Sequence, residues 1–200
     1  MAAKLIIMTA VSILIAIAAV IAYRRYDIPL AERYRRIGKK KSWKAVTYLG
    51  YSAVYIAPAA IAWLACTYYR PDPALAARAL FVGVTVSASG IINALVKSVF
   101  GRYRPYVWFD DKLFGFKFFQ HKYGFTSFPS GHSNTSFCAA LVFSYMIPYG
   151  APAFFVLAGF IAFSRVAINK HYLSDVLAGS GLGLVSAFAA YELYFRDLLA

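Results

Sequence analysis

Three observations predict an all-α protein that crosses a membrane six times. Of 200 residues, 61% are hydrophobic and only 14% charged, with a mean hydropathy of +0.59, whereas a soluble domain carries about 25% charged residues. Six apolar stretches approach or exceed the roughly 20 residues that a bilayer-crossing helix needs. The polar blocks that could carry chemistry fall at the ends of those stretches, on one face of the membrane.

The first stretch, near 4–23, is N-terminal and follows Lys4 as a signal peptide would, but it runs into Arg24-Arg25 instead of a small-residue cleavage site, and is read as a retained helix. The second and third lie near 46–68 and 76–99. The fourth and fifth, 132–149 and 151–168, are short and turn tightly at Pro148-Tyr149-Gly150. The sixth covers 173–195, where Gly179 and Gly183 form a Gly-x3-Gly pattern suited to helix packing. Cys66 and Cys138 fall inside apolar stretches, where a cysteine acts as a small buried hydrophobe. Two such residues make neither a disulfide framework nor a metal site. The chain, 1–200, reads as a single membrane-embedded domain with a basic segment at 24–44 and an aromatic-rich loop at 101–128.

Three polar blocks supply the parts of a phosphate-transfer site. Lys97 with Arg104-Pro105 leaves the third helix, Pro129-Ser130-Gly131-His132 enters the fourth, and Ser164-Arg165 with His171 and Asp175 covers the turn between the fifth and sixth. Lys97, Arg104 and Arg165 suit an anion with several oxygens, Ser130 and Gly131 offer a hydroxyl and a loop backbone, and His132 and His171 can move protons or attack phosphorus. Taken singly, Lys97 or Arg165 reads as a cation snorkelling to the interface, and His132 as a cap. Irregular polar backbone at membrane depth needs water or protein to satisfy it, so a shared pocket is the natural arrangement for the set. His121 stands apart from the three blocks and reads as a surface-loop histidine.

Lys97-x6-Arg104-Pro105, Pro129-Ser130-Gly131-His132 and Ser164-Arg165-x5-His171-x3-Asp175 resemble the three-part signature of the type 2 phosphatidic acid phosphatase superfamily, with all eleven specified positions filled in order. The resemblance implies a metal-independent lipid phosphatase without a cofactor. His171 would be the nucleophile that becomes a phosphohistidine, and Asp175, four residues on, would accept its other ring N–H. His132 would be the general acid, and Lys97, Arg104, Arg165, Ser130 and the Gly131 N–H would hold the phosphoryl oxygens. Glycine at 131 would let backbone approach phosphate at a helix N-terminus, which favours an anion. The eight Asp and Glu residues form no acidic cluster near these motifs.

The loop 101–128 holds eleven aromatic residues interleaved with Lys112, Lys117 and Lys122, and is expected to form a lip for a lipid headgroup. Segment 24–44 carries nine Lys and Arg among apolar residues, as an element lying on anionic lipid does. The partners expected are a lipid phosphate substrate and membrane lipids. The net charge of +13 does not point to nucleic acid, because the cations hug membrane ends and no nucleic-acid-binding motif accompanies them.

Orientation brings two expectations into conflict. Of 21 cations, 17 lie on the face that carries the motifs, which by the positive-inside rule is cytoplasmic. Bacterial lipid phosphatases of the resembling family usually act on the outer face of the inner membrane, and the resemblance favours that placement. Two further readings are a lipid phosphotransferase, which passes the phosphoryl group to a second lipid, and a lipid-phosphate binding or transport protein without turnover. The second needs the cations but not both histidines and the aspartate. A soluble vanadium-dependent haloperoxidase shares the motif pattern, but six apolar spans exclude it.

Overall fold

A computed structural model describes residues 2–37 and 41–199, and nearly all of them are helical. Helix α1 (Ala2–Arg25) ends on Arg24 and Arg25, whose charges suit the negative end of a helix dipole. The short helices α2 (Asp27–Ile37) and α3 (Lys41–Tyr48) follow. Part of the basic segment therefore folds as α2, with Arg33, Arg35 and Arg36 exposed; Lys39 and Lys40 lie outside the described residues. A turn at 49–52, held by the Tyr55 hydroxyl donating to Leu49 O at 2.8 Å, leads into α4 (Ala53–Leu64), which continues as a π-helical turn to Tyr69.

Helix α5 (Pro73–Phe100) is 28 residues long, roughly 42 Å at 1.5 Å per residue. Asp72 caps it by accepting Leu75 N–H at 3.0 Å, Pro73 fills the first position, and Gly101 at φ +42° stops it. A two-turn helix, α6 (Pro105–Asp111), interrupts what the sequence presented as a continuous loop. Then come α7 (Gly131–Met146), α8 (Ala151–Ala167) and α9 (Leu173–Ala190), the last continuing through a π-helical turn into α10 (Arg196–Leu199).

Among the described residues, five helical segments are long and apolar enough to cross a bilayer: 2–25, 41–69, 73–100, 148–167 and 173–199. The fourth of the six expected spans is the exception, since α7 has 16 residues, roughly 24 Å, and its first turns bury Ser133, Asn134, Thr135 and Ser136. It can be short and polar because it is enclosed by protein, packed against α5, α8 and α9. Lipid-facing α1, by contrast, buries only Ala22.

The core between α5, α7 and α9 is built from Phe81, Val86, Cys138, Val142 and Ala187. α9 approaches α7 so closely that a Cβ at Gly179 would collide with the Ser130 backbone, and one at Gly183 with that of Asn134. The Gly-x3-Gly pattern thus serves packing, and Gly179 presses directly on a motif loop.

Candidate active site

All three motif blocks converge at one end of the bundle, around the start of α9. His171 lies in the turn before that helix, 4% exposed, with Nδ1 2.7 Å from Ser127 O. A carbonyl only accepts, so Nδ1 carries the proton and Nε2 is left with its lone pair. Asp175 does not take the ring N–H as expected. Its Oδ2 is 3.9 Å from Nδ1 and instead accepts the Ser127 hydroxyl at 2.6 Å and Tyr172 N–H at 2.9 Å. The carboxylate therefore acts on His171 through Ser127, whose hydroxyl it fixes while the carbonyl of the same residue orients the ring.

Asp175 is anchored by a residue that sequence reasoning passed over. Arg102 is fully buried, and its guanidinium reaches Asp175 Oδ1 at 2.5 Å, Asp27 Oδ2 at 2.6 Å and the Ser174 hydroxyl at 2.7 Å. Asp27 also accepts Ser174 N–H at 3.0 Å, which ties the start of α2 to the start of α9. The rings of Tyr23, Phe114, Phe116 and Tyr172 enclose the guanidinium, with centroids 4.8–5.3 Å away. Burial opposes a charge on Arg102, but Asp175 and Asp27 together outweigh it and hold the pKa above its ordinary value.

The three motif cations are pinned differently. Lys97 Nζ donates to Thr126 O at 2.9 Å and Pro129 O at 2.7 Å, so it holds both ends of the segment that carries Ser127. Arg104 donates to the carbonyls of Tyr123, Thr126 and Lys170 at 3.0–3.2 Å and stacks on Tyr123, 4.0 Å from the ring centroid. Arg165 is 8% exposed; Nη1 donates to the Thr47 hydroxyl of α3, and Nε has no partner.

Ser130 N–H donates to Asp175 O at 3.0 Å, and Ser130 Oγ accepts the Ser133 hydroxyl at 2.9 Å. At Gly131 an added Cβ would meet only Asn93 Oδ1, at an ordinary 3.5 Å, so the protein's own packing does not require glycine there. His132 rests edge-on against Tyr51, 4.6 Å between centroids, and its Nε2 is buried without a partner. Behind it, a Cβ at Gly50 would come within 2.7 Å of His132 Cδ2 and 2.8 Å of Ile161 Cγ2.

Burial, followed by the fields of Arg104, Lys97 and Arg165, pushes the His171 pKa well below its ordinary 6.5. The ring is therefore neutral at pH 7. These atoms can bind an oxyanion through guanidinium, ammonium and backbone donors, and present it to a neutral imidazole nitrogen. Among the described residues, no group of three or more His, Cys, Asp or Glu side chains could hold a metal ion.

The aromatic loop divides into two sets. Phe114 and Phe116 pack around Arg102, while Tyr106, Phe118 and Phe119 are 42–71% exposed and are free to meet headgroups. His121 is exposed.

The sequence model of the PAP2 superfamily matches residues 78–198. The lipid A 1-phosphatase of Rhizobium etli is 37% identical over 103 residues, covering 52% of this chain and 44% of that protein. Phosphatidylglycerophosphatase B of Bacillus subtilis is 28% identical over 154 residues, covering 72% and 69%. The match thus spans less than half the length of the Rhizobium relative. The crystal structure of the first transmembrane PAP2 type phosphatidylglycerolphosphate phosphatase from Bacillus subtilis shares the fold, with a TM-score of 0.62 and 20% identity over 98% of this chain and 96% of that one.

Proposed function

The chain belongs to the PAP2 superfamily, and we propose that it is an integral membrane phosphatase that hydrolyses a phosphomonoester or pyrophosphate of a lipid through a phosphohistidine. The observation that carries this reading is the His171 ring, oriented by Ser127 O at 2.7 Å and left with a lone pair on Nε2 under the field of three cations. In the first step Nε2 attacks phosphorus, the P–O bond to the lipid breaks, and His132 gives its proton to the leaving oxygen. A bound phosphate dianion favours a proton on His132, so substrate itself brings the acid into its working state. Water then attacks the phosphohistidine, His132 takes up the proton, and inorganic phosphate leaves.

Lys97, Arg104, Arg165, Ser130 and the Gly131 N–H stabilise the charge on the phosphoryl oxygens. The Arg165 Nε and His132 Nε2, buried without partners, support this, because each calls for an explanation and a phosphate bound between them would give both a partner. The relatives named above act on lipid A and phosphatidylglycerophosphate, and this chain is expected to take a lipid phosphate of that kind at the outer face of the bacterial inner membrane. The test is phosphate release by purified protein, with chelator present, from lipid A, phosphatidylglycerophosphate, phosphatidic acid and undecaprenyl pyrophosphate. Release from one of these supports the reading; transfer of labelled phosphate to a second lipid, or no turnover by folded protein, overturns it.

A further inference from the structure

An apolar groove of about 650 Å³ runs between α1, α5 and α9, from Ser12 to Arg24 along α1. Twelve residues of helix span roughly 18 Å, about the depth of one leaflet of a hydrocarbon core roughly 30 Å thick. Most of its lining residues belong to three membrane-spanning helices, so its occupant comes from the bilayer. At the shallow end stands the exposed cation Arg24. The inner side is formed by Arg102, whose buried Nε has no partner among the described residues, and by Phe128, Pro129 and Ser174.

The groove is not the phosphate site. Lys97, Arg104, His132, Arg165 and His171 do not line it, and on α5 it is lined by Val96 and Phe100, on either side of Lys97. It lies behind the segment whose Pro129 carbonyl accepts from Lys97, against the same Arg102 that anchors Asp175. We infer that this groove is a separate binding site for one acyl chain of an anionic glycerophospholipid, whose headgroup pairs with Arg24, and that the bound chain supports the catalytic loop from behind. Charge decides the headgroup: one interfacial basic residue favours an anionic over a zwitterionic head by about fivefold.

The full chain in lipid nanodiscs is the test, with phosphatidylglycerol or phosphatidylcholine carrying a photoactivatable acyl chain, and mass spectrometry to locate the label. The label is expected on α1 residues 12–24 and α9 residues 178–185, with phosphatidylglycerol exceeding phosphatidylcholine by about fivefold. Arg24→Gln should erase that preference, and Ala178→Phe, or Ala16→Leu as an independent filler, should remove the label. Labelling is read without turnover and is expected unchanged in His171→Gln and with orthovanadate, so it stands or falls apart from the proposed phosphatase activity. Label spread evenly over the outer face of α1, equal labelling by both headgroups, or displacement by orthovanadate, which would make the groove part of the substrate path, overturns the inference.

Discussion

Arg102 Nη1 lies 2.5 Å from Asp175 Oδ1, and both side chains are fully buried. The pair makes the geometry of the turn that carries His171 depend on a residue outside the signature, and through Asp27 on the N-terminal helices. Removing the guanidinium leaves two carboxylates buried without their cation, which typically costs about 3–5 kcal/mol. Arg102→Ala is therefore expected to lower the thermal unfolding temperature sharply in detergent. Asp27→Asn, which keeps an acceptor for Ser174 N–H, should destabilise less and reduce kcat with little change in KM.

Gly50 sets the position of His132. A methyl group at 50 has no space between His132 and Ile161, so Gly50→Ala must displace the imidazole. A shift of about 1 Å in a catalytic group can cost about 100-fold in rate. Steady-state kinetics should show that loss in kcat, while Gly90→Ala, where the added carbon meets nothing within 4 Å, should keep full activity.

At Gly131 the expected result is different. An added Cβ fits the protein, so Gly131→Ala should fold with unchanged thermal stability but bind orthovanadate and lipid phosphate more weakly. Inhibition constants for orthovanadate against the two proteins measure this.

The depressed pKa of His171 has a definite sign in two measurements. With His171 as the proposed nucleophile, protonation abolishes attack, so the acid limb of kcat/KM from this group is expected well below pH 6.5. The unfolded chain binds this proton more readily than the folded one, so the contribution to stability is complete above pH 6.5 and is lost as the pH falls below it. A pH series of unfolding temperatures for the wild type and His171→Gln isolates the effect.

Much of this site was legible in the sequence because its residues are strung at helix ends with fixed spacing. Five of the six apolar stretches located their helices to within a few residues, the second, 46–68, being broken by the turn at 49–52, and alternation of faces brought Lys97, Arg104, His132 and His171 to one end. Less visible was the shortness of α7, since an enclosed helix needs neither the length nor the apolarity of a lipid-facing one. Arg102 sits two residues before Arg104 and reads alone as one more interfacial cation; its partner Asp27 is 75 residues away, a pairing that only tertiary contact creates. The i,i+4 spacing of His171 and Asp175 suggested a direct hydrogen bond. The turn before α9 instead places the Ser127 carbonyl against the ring and draws the carboxylate to the Ser127 hydroxyl. Thr47 and Gly50 lay outside every motif and are recognised only by what they touch.

His171 is proposed to carry the phosphoryl group. The most direct test is rapid-quench trapping with a lipid substrate labelled in its phosphate, followed by peptide mapping of the alkali-stable, acid-labile adduct. A label that appears on His171 before phosphate is released, and is absent from His171→Gln, is the predicted result. Phosphate release at full rate by His171→Gln, or turnover in the wild type with label on another residue, would contradict it.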